Sequence, residues 1–457
     1  MQILSEILKA KEQRQTIRKG FAALGYATIS FNFNIPGYPK SNELLKETFL
    51  LVAKELQMYL IASRVSFDAS NIIKQHDEAG DICIIPIKEK ADSLHSIKED
   101  LEAFEANHIL GRLLDVDVFD VNQNPISSGK KKACFLCDKP AIHCMHEGTH
   151  SVHELRAFIN KQIQNYLELK RKTNICRRLS ALATQSILLE VSLPGKPGLV
   201  CPESQGSHTD MNYLTFISSS AAITTYFIDI AELAYAWDGI RNNQILQKLR
   251  SIGLQMEQAM LESTHGVNTQ KGIIFLMGFS VFVATQVLKT QKTFDTYLFR
   301  NLLGLLNKDI VSIELSNGWN KNTSHGEKCF NTYGKDYAGG IRQEIEQGLP
   351  TVFEYALPYM QELFADGFAT SQQKVFHEKL LKVLIKIIAI NNDTNILHRS
   401  DIQTLKELKE FAIKAMEFSE TSYLMEYCKR KNISPGGSAD LLAITLFIYQ
   451  LKKEFKG

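Results

Sequence analysis

The chain is 457 residues long, 44% hydrophobic and 22% charged, an ordinary globular composition at a length that predicts more than one domain. Its 52 Lys and Arg against 50 Asp and Glu leave a net charge of only +2, which excludes a broad nucleic-acid footprint or an electrostatic membrane-surface role. Any anionic ligand must therefore be held by local clusters.

The opening stretch, MQILSEILKAKEQRQ, is charged and amphipathic and lacks the layout of a secretory signal, so a cytoplasmic location is expected. The first half then mixes strands at 27–35, 82–87 and 113–119 with helical stretches such as 44–61, which predicts an α/β unit with a mixed sheet. From about Val152 the pattern becomes apolar segments of helical period, at 152–168, 176–191, 242–261, 273–288, 376–390 and 403–418, predicting an all-α second part. Segment 273–288 is too short and too interrupted to span a bilayer comfortably and reads as a buried core helix. No Pro/Gly/Ser-rich linker separates the halves, and we place the boundary so that the domains are 1–168 and 169–457.

Within the first domain, GRLLDVDVFD at 111–120 is the strongest chemical feature. A strand's period of two puts Asp115 and Asp117 on one face, where they could share a Mg²⁺ ion beside Arg112; two solvated aspartates are the plain alternative. Cys134, Cys137, Cys144 and His150 follow in a loop-rich stretch and match the ligand types of a closed zinc site, more structural than catalytic. A set of reduced thiols with surface histidines is the competing reading.

These residues carry a resemblance. EANHILGRLLDVDV followed by CFLCDKPAIHCMHEGTHSVHEL, with the early KEQRQ and the PGYPKSNE turn, resembles the citrate lyase holo-acyl-carrier-protein synthase family over about 1–165. The family is also called apo-citrate lyase phosphoribosyl-dephospho-CoA transferase. The resemblance implies nucleotidyltransferase-like chemistry: transfer of a phosphoribosyl-dephospho-CoA unit to a serine of the apo acyl carrier protein, the gamma subunit of citrate lyase, with release of pyrophosphate. It implies Asp115 and Asp117 as catalytic Mg²⁺ ligands and Arg14, His108 and Arg112 as phosphate or substrate ligands. His146 stands where the family pattern has Arg, which removes a bidentate anion ligand there.

The second domain repeats one design, glycines and polar residues at helix entries, where free backbone N–H groups suit phosphate. KPGLV brings Lys196, and GSHTDM brings His208 and Asp210, although Ser207 or Asp210 could serve simply as helix caps. HGVNTQKG brings Asn268 and Lys271 without the order of a Walker loop. HGEK and GGIRQE bring Glu327, Arg342 and Glu344, with Glu346 placed to pair with Arg342. DTN, with the His-Arg that follows, brings Asp393, Asn395 and Arg399, and SPGGSADLLA brings Ser438 and Asp440.

In this order the motifs resemble the triphosphoribosyl-dephospho-CoA synthase family over about 174–455, so the whole chain resembles a fusion of the two. The resemblance implies that ATP and 3′-dephospho-CoA are substrates, that the ATP ribose is joined to the 2′-hydroxyl of dephospho-CoA, and that adenine leaves. Such a reaction needs a base, a stabilised oxocarbenium-like centre and cations for the triphosphate. Asp210, Glu344, Glu327 and His208 are the catalytic candidates, Lys196, Asn268, Lys271, Arg342, Asn395, Arg399 and Ser438 the phosphate and substrate ligands, and Asp210, Asp393 and Asp440 the Mg²⁺ ligands. No nucleic acid or membrane partner is expected. Malonate decarboxylase, whose carrier uses the same prosthetic group, is the alternative parent enzyme, and a non-catalytic zinc-containing regulatory scaffold is the more distant one.

Overall fold

A computed structural model describes residues 2–127, 129, 132–239, 243–316, 325–368, 372–418 and 420–456. Two compact units divide the chain, Met1–Arg171 and Lys172–Gly457.

The first unit is built on five strands, β1 (Ala27–Phe33), β2 (Ile73–Asp77), β3 (Gly80–Ile87), β4 (Leu114–Phe119) and β5 (Pro125–Ile126), in the order β2-β3-β1-β4-β5. Every pairing is antiparallel, which corrects the expected mixed sheet. The cause is the tight β2–β3 hairpin, which inserts β3 between β2 and β1, so the parallel relation of β1 and β2 never becomes a ladder. Helices α1 (Gln2–Ala23), α2 (Glu43–Ala62), α3 (Leu94–Asn107) and α4 (Ala141–Glu147) accompany the sheet.

One face of this sheet is the core. Ile29 and Phe31 of β1, Cys83 and Ile85 of β3 and Val116 and Val118 of β4 pack with the apolar stripe of α2, Leu45, Phe49, Val52, Leu56 and Leu60. That stripe recurs at helical spacing behind an Asn42 cap, whose side chain accepts the Leu45 N–H at 2.8 Å. Alternation then sends Thr28, Ser30, Asn32, Asp115 and Asp117 to the opposite face, toward α1.

The open edge of β4 is completed by side chains. Glu105 of α3 accepts the Val116 N–H at 2.7 Å and Lys98 donates to the Val116 carbonyl at 2.7 Å, replacing the strand that β5 is too short to supply.

A helix α5 runs continuously from Val152 to Val191, where the sequence reading has two segments. No Pro or Gly lies between 168 and 176 to break it. The second unit continues with α6 (Tyr213–Thr224), α7 (Phe227–Ala236), α8 (Asn243–Ser263), α9 (Lys271–Thr290), α10 (Thr296–Leu306), α11 (His325–Tyr333), α12 (Lys335–Ala338) and α13 (Gly340–Glu346). Then come α14 (Leu357–Leu363), α15 (Gln373–Ile390), α16 (Thr394–Arg399), α17 (Ile402–Phe418), α18 (Ser422–Lys431) and α19 (Gly436–Glu454). Its core is centred on α9 and α19, which are apolar on nearly every face and buried from Val281 to Leu288 and from Leu441 to Leu451. Among the described residues two stretches are long and apolar enough to cross a membrane, Tyr213–Ala236 and Lys271–Thr290; the first is two helices with a break at Thr225–Tyr226, and the second is the core helix α9.

Candidate active sites

The first unit gathers its charged groups on the polar face of the sheet. In the β1–β4 register Asn32 lies opposite Asp115 and Ser30 opposite Asp117. Asn32 Nδ2 donates to Asp115 Oδ2 at 2.9 Å, and Lys132 pairs with the other Asp115 oxygen. Lys98 Nζ stands 3.8 Å from Asp117 Oδ1. Burial and the adjacent Asp115 charge push the Asp117 carboxyl above the usual range, against the pull of Lys98, Lys132 and Arg18. Two like charges that cannot both be comfortably ionised are a donor set that a divalent cation would relieve.

Arg14 and His108 are engaged inside the fold. The Arg14 guanidinium holds both Asp77 oxygens, at 2.8 and 2.6 Å, and the Gly80 carbonyl at 2.7 Å, so it clamps the β2–β3 hairpin. His108 Nδ1 accepts the Leu110 N–H at 3.0 Å, and its Nε2 therefore donates to Glu55 at 2.9 Å. Arg112 donates from Nε to the Ala133 carbonyl and lies over the Phe135 ring at 4.9 Å, while its buried Nη1 has no hydrogen-bond partner. Arg18, one helical turn after Arg14, stacks over Phe119 at 4.3 Å with a buried, unpartnered Nε near Asp117. Sequence reasoning passed over Arg18, Lys98, Lys132 and Asn32. The (i, i+4) spacing of Arg14 and Arg18 was the available signal.

Beside this face, Cys134, Cys137, Cys144 and His150 come together with their ligand atoms all within 4.8 Å of one another.

In the second unit the entries of α9, α16 and α19 meet around carboxylates. Asp393 caps α16 by accepting the Asn395 N–H at 3.0 Å and also accepts the Ser438 N–H at 2.8 Å and hydroxyl at 3.0 Å, tying two helix N-termini together. Ser438 Oγ in turn accepts from Asn391 at 3.1 Å. Asp440 follows at the start of the second turn of α19. Burial, then the charges of Glu190 and Asp393, push its carboxyl well above the ordinary carboxylate range. Gly272 leaves room for it: a Cβ there would fall 2.0 Å from Asp440 Oδ2.

Lys196 enters this region as half of a buried ion pair. Its Nζ donates to Glu190 Oε1 at 2.6 Å and to the Glu190 carbonyl at 2.8 Å, with both side chains under a tenth exposed. Glu190, one residue from the end of α5, was not singled out in the sequence. The loop bearing Lys196 packs on the α18–α19 turn, where Gly198, at φ +66, lies so close that a Cβ would fall 2.3 Å from the Ile433 carbonyl.

His208 Nδ1 receives Arg399 at 3.2 Å and its Nε2 meets Ser434 Oγ at 2.9 Å, with Asp210 at 3.7 Å. Burial and Arg399 lower its pKa, so the imidazole is held neutral. Arg399 also donates to the Ser207 carbonyl, and the Asp210 carboxylate is exposed at the rim. Asn268 Oδ1 accepts the Lys271 N–H at 3.3 Å, and Lys271 pairs with Glu257 at 2.8 Å. Arg342 pairs with Glu314 at 2.8 Å over the Phe275 ring. Glu344 is half-buried and accepts from the Thr351 hydroxyl at 2.5 Å and N–H at 3.2 Å. The Glu327 side chain lies outside the described residues.

Comparison with known proteins follows the same division. The family model for apo-citrate lyase phosphoribosyl-dephospho-CoA transferase matches residues 2–166, and that for ATP:dephospho-CoA triphosphoribosyl transferase matches 176–457. Protein CitXG of Leuconostoc mesenteroides subsp. cremoris is 30% identical over 98% of this chain and 97% of its own length. Protein CitXG of Haemophilus influenzae is 28% identical over 98% and 96%. A probable 2-(5′′-triphosphoribosyl)-3′-dephosphocoenzyme-A synthase of Malonomonas rubra is 33% identical over 60% of this chain and 88% of its own. With an acidic centre inside each matched segment, the chain belongs to the CitXG family of transferases, which fuses the two enzymes of citrate lyase prosthetic-group synthesis.

Proposed function

We propose that the two units catalyse consecutive steps. In the second unit the 2′-oxygen of 3′-dephospho-CoA attacks C1 of the ATP ribose, the C1–N9 bond breaks, and adenine leaves while the triphosphate stays on the sugar. In the first unit a serine oxygen of the apo acyl carrier protein of citrate lyase attacks the phosphorus bonded to the ribose 5′-oxygen. The bond to the next phosphate breaks and pyrophosphate leaves.

The observation that carries this reading is the presence, inside each matched segment, of a cluster of carboxylates in which burial and then like charge push one carboxyl up: Asp117 beside Asp115, and Asp440 beside Glu190 and Asp393. These donor sets fit Mg²⁺, which takes one or two carboxylates and fills its shell with water and phosphate oxygens, neutralising charge on the polyphosphate. In the first unit Arg18, Lys98, Lys132 and Arg112 surround the pair and would hold the triphosphate and the departing pyrophosphate. In the second, the entry of α9, where Gly272 lies against Asp440, is placed to meet an anion, and Asp440, the most proton-avid carboxylate there, is placed to take the attacking hydroxyl's proton. His208, neutral and held by Arg399 and Ser434, positions the Ser207–Asp210 rim.

Incubating the chain with ATP, Mg²⁺ and dephospho-CoA, and separately with supplied triphosphoribosyl-dephospho-CoA and apo-carrier, tests the two steps independently. Adenine should appear in the first mixture and pyrophosphate in the second. Absence of adenine from the first would refute the assignment of the helical unit. Apo-carriers of citrate lyase and malonate decarboxylase, compared in the second, decide the parent enzyme.

A further inference from the structure

The segment from Lys132 to His150 is held by surprisingly little. Ala133 and Pro140 form an isolated antiparallel bridge, and the Cys134 N–H donates to the Lys139 carbonyl at 2.9 Å. Helix α4 has seven residues, far too few to be stable alone, and buries one side chain, Cys144. Its other apolar residues face solvent: Ile142 is 50% exposed and Met145 73%. Apart from Phe135, which packs on the core, hydrophobic burial does little to fix this segment. All eight cysteines are free thiols, so no disulfide fixes it either.

The four side chains that do converge offer the ligand types of a closed zinc site, with their ligand atoms all within 4.8 Å of one another. Cys137 Sγ lies 3.4 Å from Cys144 Sγ and 3.3 Å from His150 Nε2. Ligands bound to zinc at about 2.3 Å for sulfur and 2.0 Å for nitrogen stand somewhat under 4 Å apart, as these do. The Leu136 N–H points at Cys134 Sγ at 3.5 Å, the backbone support a metal-bound thiolate requires. No fifth ligand position is needed.

The same segment feeds the carboxylate face. Lys132, two residues before Cys134, pairs with Asp115 and lies 3.8 Å from Glu105. The Ala133 carbonyl receives Arg112 Nε, and Phe135 lies under the Arg112 guanidinium. We propose that Cys134, Cys137, Cys144 and His150 bind a structural Zn²⁺, and that this ion positions Lys132 and Arg112 at the Asp115–Asp117 pair. The zinc site stands on geometry alone; its effect on carrier charging rests on the transferase reading of the first unit.

The test uses the full-length chain. Metal analysis of protein purified without chelator should find one zinc per chain, and Cys137→Ser and His150→Ala should each carry less than a tenth of that. Cobalt(II) exchanged into the wild type should give thiolate-to-metal charge transfer and the intense visible bands of a tetrahedral site, a readout that does not depend on folding of the variants. Cys137→Ser should charge the carrier with supplied precursor at least tenfold more slowly, with the first unit's far-UV circular dichroism contribution kept and adenine release by the second unit at wild-type rate. Zinc-free protein with eight titratable thiols, or cobalt spectra of an octahedral oxygen site, overturns the metal assignment whatever the activity. Full zinc with undiminished charging in a Lys132→Ala variant overturns the positioning role.

Discussion

Gly272→Ala is the sharpest probe of the helical unit, because it adds one methyl group and no charge. The added Cβ would lie 2.0 Å from Asp440 Oδ2 and 3.1 Å from its Cγ, where an ordinary contact begins at 3.4 Å. The carboxylate must therefore retreat by roughly 1.4 Å, the difference between 3.4 and 2.0. A displacement of about 1 Å at a reacting group costs on the order of 10²-fold in rate, and Asp440 sits where its charge and proton matter most. Alanine is the better helix former by up to about 1 kcal/mol, which offsets part of the about 1–3 kcal/mol that overpacking costs, so the fold should survive. Adenine release followed by chromatography should fall at least about 10²-fold. Carrier charging from supplied precursor, measured on the same preparation, should be unchanged. Release within threefold of wild type would show that the Asp440 carboxylate does not act from this position.

Three further outcomes are expected. Asp117→Asn should abolish carrier charging from supplied precursor but leave adenine release intact, and it should not lower thermal stability, because it removes a like charge beside Asp115; loss of both activities would refute the division of labour. Lys196→Met strands the buried Glu190 carboxylate and should cost about 3–5 kcal/mol in urea titration, most of it restored by adding Glu190→Leu. A single-variant cost below about 1 kcal/mol would mean that the pair is not the buried unit described. Glu55, despite burial, is held down to about 2 by His108 and Lys170. A depressed carboxylate contributes stability that is complete above its unfolded value near 4.5 and is lost as pH falls toward 2, so Glu55→Gln should flatten the acid limb of the stability profile between those values.

Much of the architecture could be read from the chain. The β4 alternation LDVDVF needed only the period of a strand to put both aspartates on one face, and 273–288, apolar but interrupted by Gly278, Ser280, Thr285 and Gln286, read as a core helix. Strand β2, IKQHD, escaped because an edge strand with mostly exposed side chains carries no hydrophobic alternation. The mixed sheet was misread for a related reason: without β2 the hairpin that sets every pairing antiparallel is invisible.

Site residues were legible by type more than by role. Asp393 announced itself in a polar DTN turn between helices, Asp440 beside glycines at a helix entry, and the cysteines by spacing. Arg14, His108 and Lys196 have the chemistry of phosphate ligands, but their partners Asp77, Glu55 and Glu190 lie 63, 53 and 6 residues away and take up those groups inside the fold. Such pairings depend on tertiary contacts that no local pattern encodes. Arg18 and Lys98 remained hidden for the converse reason, since a helix rich in exposed charge does not mark which of its cations faces a carboxylate.

The central claim is that one chain makes the prosthetic group and attaches it. Its most direct test is the intact mass of the apo acyl carrier protein of citrate lyase after incubation with the full-length protein, ATP, Mg²⁺ and 3′-dephospho-CoA. The account predicts a carrier heavier by one phosphoribosyl-dephospho-CoA group on a single serine, with one adenine and one pyrophosphate released for each carrier modified. An unmodified carrier in the presence of released adenine would contradict the claim for the first unit, and a carrier modified without adenine release would contradict it for the second.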